Sequence, residues 1–142
     1  MIPEITPAVR TFLESMCVPG VLSTLGKDGA PVTSAVWFGF LDGDVIISTP
    51  ADRPKARNAR ADARVSFLVD TKEMPYRGVA IEGEAEVIED PDEELMARIA
   101  RRYLGPGLPA WMRERRDRGE RVVLRIRAQR VRPWNITPQV AP

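Results

Sequence analysis

Histidine is absent from this sequence, and cysteine occurs once, as Cys17. Those two gaps remove several kinds of chemistry. A metal site built on histidine or on several cysteines is excluded, as is a disulfide within the chain. Ser-His-Asp and Cys-His nucleophile arrangements are excluded on the same ground. Cys17 lies between Met16 and Val18 at an apolar helix-to-strand junction. It reads as a packed core thiol, because free cysteine is among the most buried residue types. Long apolar runs are missing too: no stretch approaches the roughly 20 residues that cross a bilayer. The opening Met1-Ile2-Pro3-Glu4 has neither the basic segment nor the apolar stretch of a signal peptide. The expectation is a cytoplasmic protein with no membrane partner. The net charge is only +1, so no whole-molecule field draws the chain to nucleic acid.

What is present fits one compact domain over residues 1–142: 142 residues, 44% of them hydrophobic. Pro7 to Met16 reads as a helix with Val9, Phe12, Leu13 and Met16 on one face, capped by Thr6 with Pro7 at its first position. Strands follow at Gly20–Leu25, Pro31–Leu41 and Asp44–Ser48, joined by turns at Asp28-Gly29 and Asp42-Gly43. A basic helix spans about Arg53 to Arg60. Strands Arg64–Asp70 and Val79–Ile88 come next, the second placing Glu82, Glu84 and Glu86 on a wet face. Asp90 is the predicted cap of a helix reaching Tyr103, with Glu93 at the capping-box position. Trp111 to Arg118 reads as a short charged helix and Arg121 to Val131 as a final strand. Residues 1–16 form an N-terminal helical segment, and 137–142 a loose tail. Tight hairpins force antiparallel pairing. The fold class is therefore α+β, a mostly antiparallel sheet with peripheral helices, curled into a small barrel that removes its edges.

One segment carries chemistry. Thr49-Pro50-Ala51-Asp52 ends a strand, and cations then crowd the start of a helix at Arg53, Lys55 and Arg57. Cations there oppose the positive end of the helix dipole. They make sense if an anion binds at the helix N-terminus. A solvated basic helix pairing with Glu82, Glu84 and Glu86 explains the same residues, and composition alone leaves both readings open. A second basic region runs from Arg113 to Arg132, with only Glu114, Asp117 and Glu120 among its nine arginines.

The order of motifs resembles a known family. Leu22 to Pro31, Val36-Trp37-Phe38, Ser48-Thr49 and Arg53-x-Lys55-x-x-Asn58-x-x-x-Asp62-x-Arg64-Val65-Ser66 follow one another in register. Tyr76-Arg77-Gly78-Val79, Glu82-Gly83-x-Ala85-x-Val87, Arg102-Tyr103-x-Gly105 and Arg130-Val131-x-x-Trp134 continue the pattern. The chain resembles the pyridoxamine 5′-phosphate oxidase-like split-barrel superfamily from about Val18 to Trp134, and within it the actinobacterial flavin/deazaflavin oxidoreductases that use coenzyme F420.

The resemblance implies a split β-barrel that forms a homodimer with cofactor sites at the subunit interface. By similarity, Ser48, Thr49, Arg53, Lys55 and Asn58 hold the phosphate and ribityl chain, while Ala35, Val36 and Trp37 back the tricyclic ring. Tyr76, Arg77 and Trp134 line the site, from the partner subunit. Plain core or interface packing explains Trp37 and Trp134 equally. The implied cofactor is F420, with FMN as the alternative. The arginines of 113–132 would suit the anionic F420 tail, or form a solvated face. The parent oxidase carries a histidine for its product beyond the Arg130-Val131-x-x-Trp134 element; this sequence has none, so that oxidase activity is not implied. The implied reaction is hydride transfer from reduced deazaflavin to an unsaturated small-molecule acceptor, the ring chemistry belonging to the cofactor and no side chain being assigned as acid or base. A non-catalytic flavin carrier would need the same anchor. A nucleic-acid-binding module on the arginine-rich end ranks last, since no recognition motif accompanies it.

Overall fold

The computed structural model describes residues 2, 4–107, 109–110 and 120–136. In chain order the described elements are α1 (Pro7–Ser15), β1 (Gly20–Leu25), β2 (Pro31–Val36), β3 (Gly39–Leu41), β4 (Asp44–Pro50), α2 (Pro54–Ala61), β5 (Arg64–Asp70), β6 (Gly78–Glu89), α3 (Glu94–Leu104) and β7 (Arg121–Trp134). The predicted helix at Trp111–Arg118 and the tail at 137–142 lie outside the described residues. No helix among those described is long and apolar enough to cross a membrane.

Local chemistry sets the hairpins. Gly29 closes the β1–β2 turn at φ 80°, and the β3–β4 turn holds Asp42 at φ 47° and Gly43 at φ 88°. Positive φ at both central residues is the twist-matched hairpin geometry, which favours Asp-Gly. The strands form one sheet in the order β2-β1-β5-β6-β7-β4-β3, with every pair antiparallel. The α+β expectation holds.

The run Pro31–Leu41, expected as one strand, is two. β2 pairs with β1, while β3 pairs with β4 at the far edge of the sheet order. Only Trp37 and Phe38 separate them. Two residues span such a change of edge only if the sheet curls until its edges approach, which is a split barrel. Val45 and Ile47 of β4 point into the barrel with Leu22, Phe38, Phe67, Ile81, Leu124 and Ile126. Ile46 and Val123 point outward and are covered by Ile99 of α3, beside Trp37 and Tyr103. α2 turns Ala56 and Ala59 inward and packs on β1, β4, β6 and β7, plugging one end of the barrel.

Two local expectations are corrected. α3 starts at Glu94, not just after Asp90, and its cap residue Glu93 sits at φ 57° with no side-chain cap. The buried Asp90 carboxylate still serves the helix, accepting from the backbone N–H groups of Leu95 (3.2 Å) and Met96 (3.0 Å) across an intervening turn. Cys17 is exposed, not packed. α1 ends with Met16 in extended conformation and packed against the core. The next residue in an extended chain points the other way.

Candidate cofactor site

The first turn of α2 begins at Pro54, with Arg53 at the cap position; no side chain caps it and no acidic residue lies in that turn. Across the β4–β7 ladder, Pro50 pairs with Arg121. This register brings Arg121 over Ser48, whose Oγ accepts from Arg121 Nη2 at 3.2 Å. Burial, together with the charges of Arg53 and then Arg121, holds the Lys55 ammonium below its ordinary value. Lys55 therefore feels the charge of both Arg53 and Arg121. Among the described residues, neither Arg53 nor Lys55 has an acidic partner within ion-pair distance. Stability alone does not favour three cations at the positive end of a helix. An oxyanion placed there would relieve both the repulsion and the open helix terminus.

The other predicted anchor residues divide. Asn58 Nδ2 donates to Thr24 Oγ1 on β1 at 3.1 Å, tying α2 to the barrel. Thr49 is buried at 1% exposure, its hydroxyl directed to the Pro50 carbonyl at 3.2 Å. Its side chain faces the barrel interior because it follows the phase of Val45 and Ile47. Ser48 and Thr49 thus point to opposite sides, and only Ser48 presents its hydroxyl beside the cations.

A groove of about 590 Å³ opens between α2 and the β1–β2 hairpin. Lys27, Val32, Pro54, Arg57, Asn58 and Asp62 are on its walls. The size suits a small organic cofactor, for which pockets run from about 300 to 1,000 Å³. Asp62, the acid in this wall, is held by Arg64 through Nη2–Oδ2 (2.7 Å) and Nε–Oδ1 (3.0 Å) bonds, which keep its carboxyl at about 2. β2 continues from this groove toward Ala35, which is exposed, and Val36, packed against the core. Trp37 is half-buried and stacks on Tyr103 with ring centroids 4.7 Å apart and planes 7° off parallel.

Tyr76, Arg77 and Trp134 gather elsewhere. Trp134 lies over Gly78 so closely that a Cβ on Gly78 would overlap its ring. Asn135 Nδ2 donates to the Tyr76 carbonyl at 2.7 Å, and the Arg77 guanidinium sits 5.6 Å from the Phe12 ring centre. Ser48 pairs with Val123, whereas Gly78 pairs with Trp134, eleven residues further along β7. That is roughly 35 Å measured along the strand at the rise of a β-strand. Within one copy the two clusters thus lie at opposite ends of β7.

The arginines of β7 beyond Arg121 are paired. Arg125 Nε and Arg127 Nη1 reach Asp44 Oδ2 at 2.8 and 3.0 Å, and Arg127 Nη2 reaches Glu86 at 3.0 Å. Arg130 and Arg132 share Glu82 at 3.0 and 3.3 Å. Arg127, Arg130 and Arg132 form a laced, exposed face, while Arg125 and Asp44 are largely covered. Arg113, Arg115, Arg116 and Arg118 lie outside the described residues. Sequence reasoning left Arg121 and Lys27 out of the anchor and counted Arg57 only among the cations at the helix start. Arg57 was findable one turn after Arg53, whereas Arg121 reaches the site only through strand register.

Fold and site together define a class, and comparison agrees. The chain belongs to the pyridoxamine 5′-phosphate oxidase family, whose model matches residues 5–135. Among solved structures, a conserved hypothetical protein of Mycobacterium tuberculosis is 32% identical with a TM-score of 0.79, over 99% of this chain and 93% of that one. A protein described as an F420 reductase is 27% identical with a TM-score of 0.72, over 85% and 94%. A heme-binding protein of Mycobacterium smegmatis is 26% identical with a TM-score of 0.66, over 94% of this chain and 55% of its own. No functionally curated protein matches.

Proposed function

We propose that this protein binds a phosphorylated deazaflavin, F420, and serves as an oxidoreductase that passes a hydride from the reduced cofactor to an unsaturated organic acceptor such as an enone or a tetrapyrrole. The observation that carries this reading is the pair Arg53 and Lys55, neither with an acidic partner among the described residues, gathered at the uncapped start of α2 with Arg121 beside them. In this reading these three cations and Ser48 hold the phosphate. Asn58 keeps α2 on the barrel, the groove between α2 and the hairpin takes the body of the cofactor, and Ala35 to Trp37 back the ring. The likeness to an F420 reductase favours F420 over FMN, and FMN in the same groove is the alternative. Tyr76, Arg77 and Trp134 reach the cofactor from a second copy, since their own copy holds them at the far end of the barrel. The working unit is thus a homodimer with two sites, acting in the cytoplasm.

The protein's part is to bind and orient the ring, to exclude water and to set the local field, while the reduced cofactor supplies the hydride. No side chain is assigned as acid or base, and the proton that completes the reduction of the acceptor comes from solvent. Fluorescence titration with F420 and with FMN tests the reading, and sub-millimolar binding of at least one is expected. Failure of both to bind overturns it. Turnover with reduced F420 and a panel of enones or biliverdin separates an enzyme from a carrier: tight binding without turnover means a carrier.

A further inference from the structure

The Arg102-Tyr103 pair of α3 has no part in holding a phosphate, yet it sits where the barrel is split. Phe38 carries the chain from one edge of the sheet to the other, so its backbone lies outside the strand ladders, and it is fully buried. A buried amide or carbonyl left without a partner is destabilising. Here α3 supplies both partners. Tyr103 Oη accepts from the Phe38 N–H at 3.2 Å, and Arg102 Nε donates to the Phe38 carbonyl at 3.0 Å.

The same two side chains hold other segments. Arg102 Nη2 donates to the Met16 carbonyl at 3.2 Å, while its guanidinium lies 4.9 Å from the Phe38 ring centre and 4.8 Å from that of Phe40. Tyr103 Oη donates to the Val18 carbonyl at 3.1 Å, and its ring fixes the plane of Trp37 by stacking. The α1–β1 connection, the crossing residue and β3 are therefore joined through two consecutive helical residues.

We infer that Arg102 and Tyr103 are positioning residues for the cofactor ring: by fixing Trp37 and Phe38 they hold the exit of β2, so that Ala35–Trp37 present a wall of fixed shape. This inference rests on the proposed placement of the ring along β2. Neither residue touches the ligand.

Tyr103→Phe tests it, because it removes the hydroxyl and keeps the stacked ring. Hydrogen exchange at the Phe38 amide should quicken, and exchange across Ala35–Trp37 should rise with it. Affinity for whichever of F420 and FMN the wild type binds should fall about tenfold, the scale of one hydrogen bond, with affinity for inorganic phosphate unchanged. Arg102→Lys, which keeps the charge and loses the fork, should do the same. Unchanged exchange at Phe38 overturns the inference, as does an equal loss of phosphate and flavin affinity, which a purely structural role would give. If the wild type binds neither flavin, the functional reading fails, while exchange in Ala35–Phe38 still decides whether the clamp sets this segment.

Discussion

Two arginine-bearing regions lie on the same barrel and have opposite electrostatic character. Along β7, Arg125, Arg127, Arg130 and Arg132 each reach a carboxylate of Asp44, Glu86 or Glu82. At the start of α2, Arg53 and Lys55 sit beside Arg121, and neither has an acidic partner among the described residues. A count of arginines does not distinguish the two. What distinguishes them is whether the fold supplies the counter-charge, and where it does not, a ligand is the natural source.

The largest effect expected from this contrast is on Lys55. Lys55→Ala should weaken phosphate-bearing flavin binding by about ten- to a hundredfold, the range for hydrogen bonds to charged groups, with no loss of thermal stability. Equal losses of affinity and stability would make Lys55 a structural residue and erase the contrast.

A pH effect comes next. Lys55 has its folded-state value lowered by burial and by its cationic neighbours, from an ordinary value of 10.5. Between the lowered value and 10.5 the unfolded chain therefore binds more protons at this site than the folded one. Stability from this group rises as pH climbs through that window, and below the window the charged lysine costs stability. Burial raises the Tyr103 hydroxyl, which acts in the opposite sense at high pH, so the informative quantity is wild type minus Lys55→Gln. That difference should rise with pH in urea titrations, and the rise should shrink or reverse when inorganic phosphate saturates the site. A flat difference without phosphate would count against crowding at Lys55.

The smallest effect belongs to β7. Arg127→Ala should cost under about 1 kcal/mol, the range for exposed ion pairs, and should leave flavin affinity within about twofold. A large loss of affinity would mean that the laced face contacts the ligand after all.

Local signals made the hairpins and the alternating β6 legible, because Asp-Gly turns and a two-residue period act over a few neighbours. The break at Trp37–Phe38 was not legible. Val36-Trp37-Phe38-Gly39-Phe40 reads as one β-compatible run, and only pairing with β1 on one side and β4 on the other divides it. The same applies to the site. Lys55 and Asn58 stand out within one helix, but Arg121 comes beside Lys55 through the β4–β7 register, some sixty-five positions away in sequence. The inward turn of Thr49 follows from strand phase, and the exposure of Cys17 from where α1 stops. Neither is written in a window of neighbouring residues.

The most direct test is one titration run on three proteins: wild type, Lys55→Ala and Arg127→Ala, each with F420 and with FMN, followed by fluorescence. The account predicts saturable sub-millimolar binding of at least one flavin to the wild type, lost or sharply weakened in Lys55→Ala and retained in Arg127→Ala. Equal binding to all three proteins, or none to the wild type, would contradict it.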